Sequence, residues 1–452
     1  MNKLLNIALT ILIVTQLMSC EQFLELKPDA KLKVVTTLND LDAVMNNTSV
    51  MNYYTMGIGE ASADNYYVDY NVWKSLDQGE REMYIWGNEI FYQSSSNPWM
   101  DYYRVVYYAN FVLSNLESMP NLEASQNSLY RNLKGRALFF RAYSFFKLVT
   151  LFSKTYDLNT ANSDLGIPLR LSDDFNQPTT RASVHACYHQ ICEDLIAAKD
   201  LLNDRSTNQH EPSRHAALLL LSWTSLIMQD FNMAARYGQD ALSIDDRLID
   251  YTKYNGSNSF PFEMNNSEVA FIVGGVNNLI GYWYSKIDLN LYTSYSSHDF
   301  RKSLFFGTNT DGTIYFKGSY LGANGLFMGL ATTDAYFNVA ESLIRLGQVS
   351  EGLHYLNEVL KMRYLNANIP TLQGIDIKSA LQLTLSERRK EFIMRDSRWI
   401  DIKRLNKFED SQIVLKRFLN GTEYDLGIDD NKYALPIPEE IIQITGIPQN
   451  PR

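Results

Sequence analysis

The sequence is poor in cysteine and proline and has no excess of positive charge, and each shortage excludes a class of protein. Three cysteines in 452 residues cannot build the disulfide framework of many small exported domains. Twelve prolines and 23 glycines, without a low-complexity tract, exclude a fibrous repeat and wholesale disorder. With 41 basic against 51 acidic residues, the chain lacks the clustered lysine and arginine that nucleic-acid binding requires. We expect a globular protein without a nucleic-acid partner.

The sequence also lacks the short motifs of common enzymes. No Walker loop, dinucleotide-binding glycine fingerprint, nucleophile elbow or HExxH motif occurs in it. His185, His189 and Cys192 share one face of a predicted helix, but zinc needs further ligands and neighbouring groups that orient them, and nothing nearby supplies these. Paired catalytic carboxylates cannot be recognised here, because they come from distant parts of a chain. We therefore predict no catalytic residue, no cofactor and no metal site.

The apolar run at the N-terminus is too short to span a membrane. Residues 4–18 are mostly apolar, and as a helix they would reach about 22 Å, less than the roughly 30 Å of a hydrocarbon core. A run of this length after a positive start is typical of a secretory signal peptide. The run ends in Leu17, Met18, Ser19 and Cys20, which resembles a bacterial lipobox. That resemblance implies cleavage before Cys20 and a lipid anchor on its thiol; an ordinary secretory signal is the alternative.

The other two cysteines, Cys187 and Cys192, lie five residues apart in a predicted helix. Such positions face different directions and are too far apart for a disulfide bond. We expect buried thiols, and an exported protein that is stabilised by its core alone.

Beyond residue 20, apolar residues recur mostly at helical spacing. Helices are predicted over 98–118, 133–152, 183–202 with Ser183 as N-cap, and 386–405. Two helix–turn–helix pairs are predicted over 214–242, with a break at Asp230 and Phe231, and over 333–362, with a break at Gly347. Both pairs match the tetratricopeptide pattern loosely, but they are not adjacent in sequence. The expectation is helical hairpins within a larger α domain rather than a continuous array.

Two stretches interrupt the helical pattern. Residues 50–96 are rich in Tyr, Asn, Asp and Gly, and residues 251–330 hold 10 of the 23 glycines. Short strands are predicted at 269–273 and 313–317, and a plain turn at 309–312. No linker composition separates these pieces, so one compact unit with elaborate loops is expected.

Charges of both signs alternate from residue 387 to residue 404. The spacing predicts a solvated or ion-paired helix face at i, i+4, which Trp399 and Ile400 attach to the core.

Aromatic residues give the strongest functional signal. Residues 51–110 contain 15 of them, or one in four, against 13% for the whole chain. Many fall outside helical stripes, in SADNYYVDYNVW (62–73) and GYWYSK (281–286). Exposed rings beside Asn, Asp and Ser suit carbohydrate, because a ring stacks on the C–H face of a sugar while amides and carboxylates bind its hydroxyls. They suit peptides almost as well. The structural alternative is that the rings cover the core or contact a protein partner.

Seven segments resemble, in the same order, segments of the SusD/RagB family of nutrient-binding outer-membrane lipoproteins. They are CEQFLELKP (20–28), Glu60 with Asp64, Trp99 with Tyr103 and Asn110, RALFFRAY (136–143), GIPL (166–169) with Arg181 and Ser183, ERRKE (387–391) with RWIDIKR (398–404), and YALPIP (433–438) with QNP (449–451). The chain departs from the family at Arg395, Asp396 and Ser397, which stand where an acidic residue and glycine are usual, and it ends at Arg452 without a final aromatic residue.

The resemblance implies a mainly α fold, in which tetratricopeptide-like helix pairs are embedded in a single SusD-like domain with long loops and a few short strands. Residues 1–19 would form a lipoprotein signal peptide and 20–452 the domain, divided into an N-terminal helical part to about 250, the loop region 251–330 and a C-terminal helical part from about 331. Trp99 and Trp399 would be structural.

The same resemblance implies a cell-surface protein, lipid-anchored at Cys20 in the outer membrane, that passes a nutrient to a SusC-like TonB-dependent transporter. The ligand would be an oligosaccharide or polysaccharide. Family ligand sites lie in variable loops, so loop context alone selects Tyr70, Trp73, Tyr282 and Trp283 as ligand-binding candidates. A peptide-binding lipoprotein, a scaffold on the transporter without its own ligand and a lipid-anchored glycan hydrolase remain as alternatives.

Overall fold

The structure is a computed structural model that describes residues 37–92, 94, 97–119, 124–276, 279, 284–365, 368–370 and 374–452. The predicted signal peptide, Cys20 and two ligand candidates, Tyr282 and Trp283, lie outside these ranges. No helix within the described ranges is both long enough and apolar enough to cross a membrane.

Helices dominate the fold, as the sequence predicts. In chain order they are α1 (Leu38–Met45), α2 (Thr48–Met51), α3 (Ile58–Ser62), α4 (Tyr70–Ser75), α5 (Gln78–Tyr84), α6 (Pro98–Ser118), α7 (Asn127–Phe152), α8 (Val184–Leu201), α9 (Arg214–Ile227), α10 (Phe231–Ile244), α11 (Leu289–Ser294), α12 (Phe300–Phe305), α13 (Thr332–Arg345), α14 (Val349–Lys361), α15 (Ile377–Glu391), α16 (Arg398–Leu405) and α17 (Glu439–Thr445).

Four of the longer helices begin at residues whose side chains cap them. Asn97, Ser183, Ser213 and Asp230 each accept a hydrogen bond from the third backbone amide of the helix that follows, which satisfies a donor without a partner inside the helix. The predicted cap at Ser183 and the predicted break before α10 are therefore confirmed. Gly347 separates α13 from α14 with a φ of +83°, a conformation that favours glycine.

The helices α6 to α10, α13 and α14 pack consecutively, each against the next. The two predicted helix pairs, α9–α10 and α13–α14, are therefore neighbours in space, although nearly 90 residues separate them in sequence. α10 approaches α13 closely at Gly238, where an added Cβ would lie 2.5 Å from a methyl group of Val339. The predicted helical hairpins within a larger α domain are therefore confirmed, and the two pairs stack in space although they are not adjacent in sequence. α7, buried over most of its length, forms the centre of the core.

Short strands connect the loop regions. They are β1 (Tyr53–Met56), β2 (Tyr66–Tyr67), β3 (Val269–Phe271), β4 (Gly274–Val276), β5 (Lys286–Ile287), β6 (Phe306–Thr308), β7 (Ile314–Phe316), β8 (Leu326–Phe327), β9 (Leu330–Ala331), β10 (Leu415–Leu419) and β11 (Thr422–Leu426). β1, β4 and β8 form one sheet, and β2–β5, β3–β9, β6–β7 and β10–β11 form pairs. β3 and β7 confirm the two predicted strands. The predicted turn at 309–312 connects β6 to β7, with Gly312 at a φ of +83°.

The helix predicted over 386–405 is instead two helices, α15 and α16. Met394 and Asp396 in the connection both have a φ of +55°, a left-handed conformation that a helix cannot continue through. Asp396 is held in it by its carboxylate, which accepts from the backbone amide of Glu60 at 2.9 Å and pairs with Lys147 Nζ at 2.6 Å.

The charges on α15 and α16 are buried, so the predicted solvated face is wrong. Their residues that are only 1–7% exposed include Glu387, Arg388, Glu391, Arg398 and Asp401. Buried charges are tolerated only when partners replace the lost water. The partners are ionic, as the charge pattern suggests, but most lie far away in sequence rather than at i, i+4.

One group of partners holds the segment that leads into β2. Arg398 donates two hydrogen bonds to the Asp64 carboxylate, at 2.7 and 2.9 Å, and Arg389 pairs with it at 3.2 Å. Burial favours a neutral Asp64, but the two guanidinium groups outweigh it and hold the pKa of Asp64 well below its usual value. Arg389 also donates to Asn65 Oδ1, and Asn65 in turn donates to Glu60 at 2.6 Å. Glu60 and Asp64, one of the family-like segments, are thus attached to α15 and α16.

A second group of partners holds the loop region 251–330. Arg301 on α12 bonds Glu387 at 2.5 Å and Glu391 at 3.2 Å. Arg363 joins Glu391 to Glu268, which directly precedes β3, at 2.8 Å on each side. α15 therefore connects the two irregular regions of the chain through ion pairs that are shielded from water.

Cys187 is buried, Cys192 is half-buried, and both are free thiols. Burial raises the pKa of Cys187 to about 11 and that of Cys192 to about 12. The predicted thiol state is confirmed, and the complete burial of Cys192 is not.

Lys403 predicts a pH dependence of stability. Its side-chain nitrogen, Nζ, is buried on α16 and donates to the carbonyls of Thr150 and Ser153, each at 2.6 Å. Burial lowers its pKa from 10.5 to about 7. Between these values the unfolded chain binds more protons than the folded one, so the free energy of unfolding rises with pH, by about 2 kcal/mol between about pH 7 and about pH 9.

Urea unfolding of wild type and Lys403→Met at the two pH values measures this contribution. The variant should lose the rise, whereas Lys253→Met, which removes a lysine side chain that is 78% exposed, should keep it. If the free energy of unfolding rises equally with pH in wild type and in Lys403→Met, Lys403 is not a neutral buried amine in the folded protein.

Asp64→Asn tests the first group of ion pairs. The substitution keeps the shape of the side chain but leaves two guanidinium groups, on Arg389 and Arg398, without their carboxylate. We expect the free energy of unfolding to fall by about 3 kcal/mol. Glu423→Gln breaks the exposed Lys416–Glu423 pair and should cost far less, because solvent screens exposed charges. Urea unfolding of both variants gives the comparison, and similar small losses would mean that the Asp64 pairs contribute little.

Candidate functional site

The two aromatic stretches singled out in the sequence meet at the β2–β5 strand pair. The strands are antiparallel, with Tyr66 opposite Ile287 and Tyr67 opposite Lys286. Asp288 extends the pairing by donating its backbone amide to the Asn65 carbonyl at 3.0 Å. Segments about 220 residues apart in the chain thus form one surface.

Strand alternation decides which rings of this surface face solvent. Tyr66 points inward, 3% exposed, and donates its hydroxyl to the Ala61 carbonyl at 2.6 Å. Tyr67, the next residue, points outward and is 39% exposed; Tyr284, just before β5, is 41% exposed. Two tyrosine rings are therefore available to a ligand beside the strand pair.

The sequence analysis placed Tyr70 and Trp73 in a loop, but both lie on the short helix α4. Both are half-buried against the core. Their rings stack with centroids 5.9 Å apart and planes inclined by 26°. The indole N–H of Trp73 donates to the Arg81 carbonyl at 3.2 Å. This hydrogen bond fixes the ring and uses its N–H, so a ligand could contact only the carbon atoms of the ring. The structure keeps these two candidates together at the surface but less exposed than Tyr67 and Tyr284.

A charged group lies among these rings. Lys286 Nζ on β5 is 2.5 Å from Asp69 Oδ2 and 3.4 Å from Asp311 Oδ2, in the β6–β7 turn. The hydrogen bond that Lys286 donates to Asp69 is the main cause that raises the pKa of Lys286, which therefore stays charged. Hydrogen bonds from Thr313 and the nearby Lys286 lower the pKa of Asp311. Asp69 precedes α4 without capping it through its side chain, because its carboxylate turns to Lys286.

We call this set of residues the β2–β5 surface. Its rings offer flat apolar faces, its carboxylates accept hydrogen bonds from hydroxyl groups, and its ammonium group donates them. The members are Tyr67, Asp69, Tyr70, Trp73, Tyr284, Lys286 and Asp311.

Arg417 on β10 supports the β2–β5 surface from below. Its guanidinium lies 4.0 Å from the ring centroid of Tyr84, 4.7 Å from Trp86 and 5.2 Å from Tyr66. It also donates to the carbonyls of Ala61 and Ala63, at 3.0 and 2.6 Å, and to that of Tyr84. A buried cation with aromatic and carbonyl partners holds this segment in place.

Sequence reasoning singled out two of the residues that make up this surface. It named Tyr70 and Trp73, and its other two candidates, Tyr282 and Trp283, lie outside the described residues. It passed over Tyr67 and Tyr284, although alternation in a short strand after Tyr66 was the available signal. Lys286 and Asp311 could not be found, because only the tertiary pairing brings them beside Asp69.

The considered zinc ligands do not form a site. His185 Nδ1 lies 2.9 Å from the Tyr156 hydroxyl, and the rings of His185 and His189 are 6.3 Å apart. Cys192 has a raised pKa, which disfavours the thiolate that a metal needs. Within the described ranges, no three His, Cys, Asp or Glu side chains are grouped to hold a metal ion.

Comparison with known proteins gives consistent matches. A family model described as starch-binding and associating with the outer membrane, of the SusD-like type, matches residues 22–226, and the SusD family model matches residues 323–451. No curated protein sequence matches the chain significantly.

Solved structures share the fold over almost the whole chain. A SusD superfamily protein from Bacteroides thetaiotaomicron matches with a TM-score of 0.76 and 22% identity, covering 92% of this chain and 100% of its own. A SusD-like carbohydrate binding protein from Bacteroides vulgatus matches with a TM-score of 0.66 and 16% identity, covering 86% and 89%. Surface glycan-binding protein A from Bacteroides uniformis matches with a TM-score of 0.71 and 15% identity, covering 91% and 98%.

The two family models fall on the segments that the resemblance rests on, and the helical architecture is the one that these structures share. The chain therefore belongs to the SusD/RagB family.

Proposed function

We propose that the protein binds a glycan at the β2–β5 surface and delivers it to an outer-membrane transporter. The observation that carries the proposal is the pairing of two aromatic segments around a charged group, with Tyr67 and Tyr284 exposed beside Lys286. Rings stack on the C–H face of a sugar, while Asp69, Asp311 and Lys286 bind its hydroxyls. Membership of a family with carbohydrate-binding relatives supports the same ligand class.

The electrostatics of the surface favour binding without hydrolysis. A glycosidase needs a carboxyl group that still holds a proton near neutral pH. Asp311 is the reverse case, since its pKa is lowered by Thr313 and Lys286. Burial does raise the pKa of Glu60 to about 7, but Glu60 is fully buried and bonded to Asn65 and Asp396. It cannot reach a bound polysaccharide.

The rest of the proposal concerns the membrane. A lipid on Cys20 would hold the protein at the cell surface, and family membership implies a SusC-like, TonB-dependent transporter as partner. As the family resemblance implies, we assign the transporter contact to the stacked helix pairs α9–α10 and α13–α14, and we leave the two loop regions to the ligand. The division into a signal peptide at 1–19 and a single domain at 20–452 is part of this proposal.

Affinity electrophoresis of the chain from residue 21 tests the proposal, with a panel of plant, host and microbial polysaccharides. At least one should retard the protein. Tyr67→Ala/Tyr284→Ala should weaken that retardation about 30-fold, since two stacking rings at about 1 kcal/mol each are lost. Trp73→Ala should also weaken it. Tyr67→Phe/Tyr284→Phe keeps both rings and should retain most of the affinity.

Each other outcome has a definite meaning. Retardation that survives the alanine variants would place the glycan site elsewhere. Release of reducing ends from the retarding polysaccharide would make the protein a hydrolase. Absence of retardation across the panel would reject glycan binding and favour a peptide ligand or a scaffold role.

A further inference from the structure

A second aromatic cleft lies along α6, and none of its lining residues belongs to the β2–β5 surface. Its floor is formed by α6, one wall by residues 168–179, and the other by α17. The volume is about 270 Å³, somewhat below the range of clefts that hold drug-sized ligands. The lining side chains include Trp99, Tyr103, Tyr107, Arg170, Asp173 and Phe175.

An exposed ring forms the rim of this α6 cleft. Phe175 stacks on Tyr107 with ring centroids 4.8 Å apart and planes inclined by 29°, yet it remains 75% exposed. One face of the phenyl ring packs on Tyr107 and the other face is exposed to water. Exposure of apolar surface to water is unfavourable, so a ligand that covered this face would be stabilised by its burial. Deeper in the cleft, Trp99 is 4% exposed and lies 5.1 Å from the Tyr103 ring.

Polar groups lie beside the ring. Asp173 accepts a hydrogen bond from Ser114 through Oδ1, at 2.8 Å, which leaves Oδ2 for another donor. Burial, and then the negative charge of Asp173, raise the pKa of Tyr107, so its phenol stays protonated and able to donate. The hydroxyls of Ser172 and Thr179 lie on the same wall. A ring flanked by a carboxylate and hydroxyl groups suits a sugar better than an aliphatic side chain.

The wall of the cleft is built before any ligand binds. Asn110 on α6 donates to the carbonyls of Arg170 and Ser172, at 2.8 and 3.2 Å. Asn110 is itself held by Arg141 at 2.9 Å, and Arg141 makes two hydrogen bonds to Asp194, at 2.7 and 2.6 Å. These side chains are buried, so the position of the wall is set by the helical core.

We propose that the α6 cleft is a second carbohydrate subsite, which takes one or two neutral sugar units. Asp173 and the exposed Asp174 disfavour uronic acids, and the guanidinium of Arg170 is already used by the carbonyls of Asp174 and Gln177. The ligand class rests on the proposed function, but the location does not. Two subsites on one protein would let a long glycan bind more tightly than either subsite alone.

Tryptophan provides a separate reporter for each site: Trp99 in the α6 cleft and Trp73 on the β2–β5 surface. The experiment is ¹⁹F NMR of the full chain labelled with 5-fluorotryptophan and purified in detergent, with the Trp73 and Trp99 resonances assigned by Trp→Phe substitution. The probes are maltohexaose, cellohexaose, laminarihexaose, xylohexaose and mannohexaose. At least one of these oligosaccharides should shift both resonances, and each shift should reach a plateau as the oligosaccharide concentration rises.

Phe175→Ala should abolish the shift of the Trp99 resonance and leave that of Trp73 unchanged. Phe418→Ala removes a phenyl ring that is 66% exposed on β10 and should change neither shift. A Trp73 shift without a Trp99 shift would overturn the second subsite and leave the proposed function intact. A Trp99 shift alone that Phe175→Ala abolishes would support the subsite and reject the β2–β5 surface. If neither resonance moves with any probe, both proposals fail.

Discussion

The structure depends on the burial of charge on α15. Glu387, Arg388 and Glu391 are almost completely shielded from water, and an unpaired charge there would cost several kcal/mol. Each therefore requires a partner. Glu387 and Glu391 both pair with Arg301 of the loop region 251–330, and Glu391 also pairs with Arg363, which lies outside that region but bonds Glu268 within it. On the same helix, Arg389 reaches Asp64 and Asn65. One helix thus fixes both irregular segments that carry the β2–β5 surface.

This arrangement explains how a site made of two-residue strands can be rigid. β2 and β5 alone would form a marginal pair, but Asn65 is bonded to Arg389 and Glu60 on one side and to the Asp288 amide on the other. Arg417 adds a cation beneath the rings. A surface that is ordered before binding avoids the entropy cost of ordering it with the ligand. The α6 cleft follows the same rule, with Arg141 and Asn110 in the supporting role.

The sequence predicts features that are local and misses those that are not. The bounds of α6, the cap of α8 and both helix pairs follow from apolar spacing and capping residues within each segment. Alternating charge on α15 and α16 indicates ion pairs, but nothing in it tells whether partners lie one turn away or 300 residues away. Asp396 ends the predicted helix through contacts with Glu60 and Lys147, which no window of sequence contains. The pairing of Tyr67 with Lys286 is hidden for the same reason.

Hydrogen exchange measured by mass spectrometry on Arg389→Met tests most directly whether α15 holds the site. The substitution touches none of the aromatic rings and leaves the Arg398–Asp64 pair in place. We expect amides in 64–75 and 284–288 to exchange about tenfold faster, as a joint local opening worth about 1.4 kcal/mol, while α9 and α10 keep their protection. Unchanged exchange in the two segments, or an equal increase everywhere, would contradict the account.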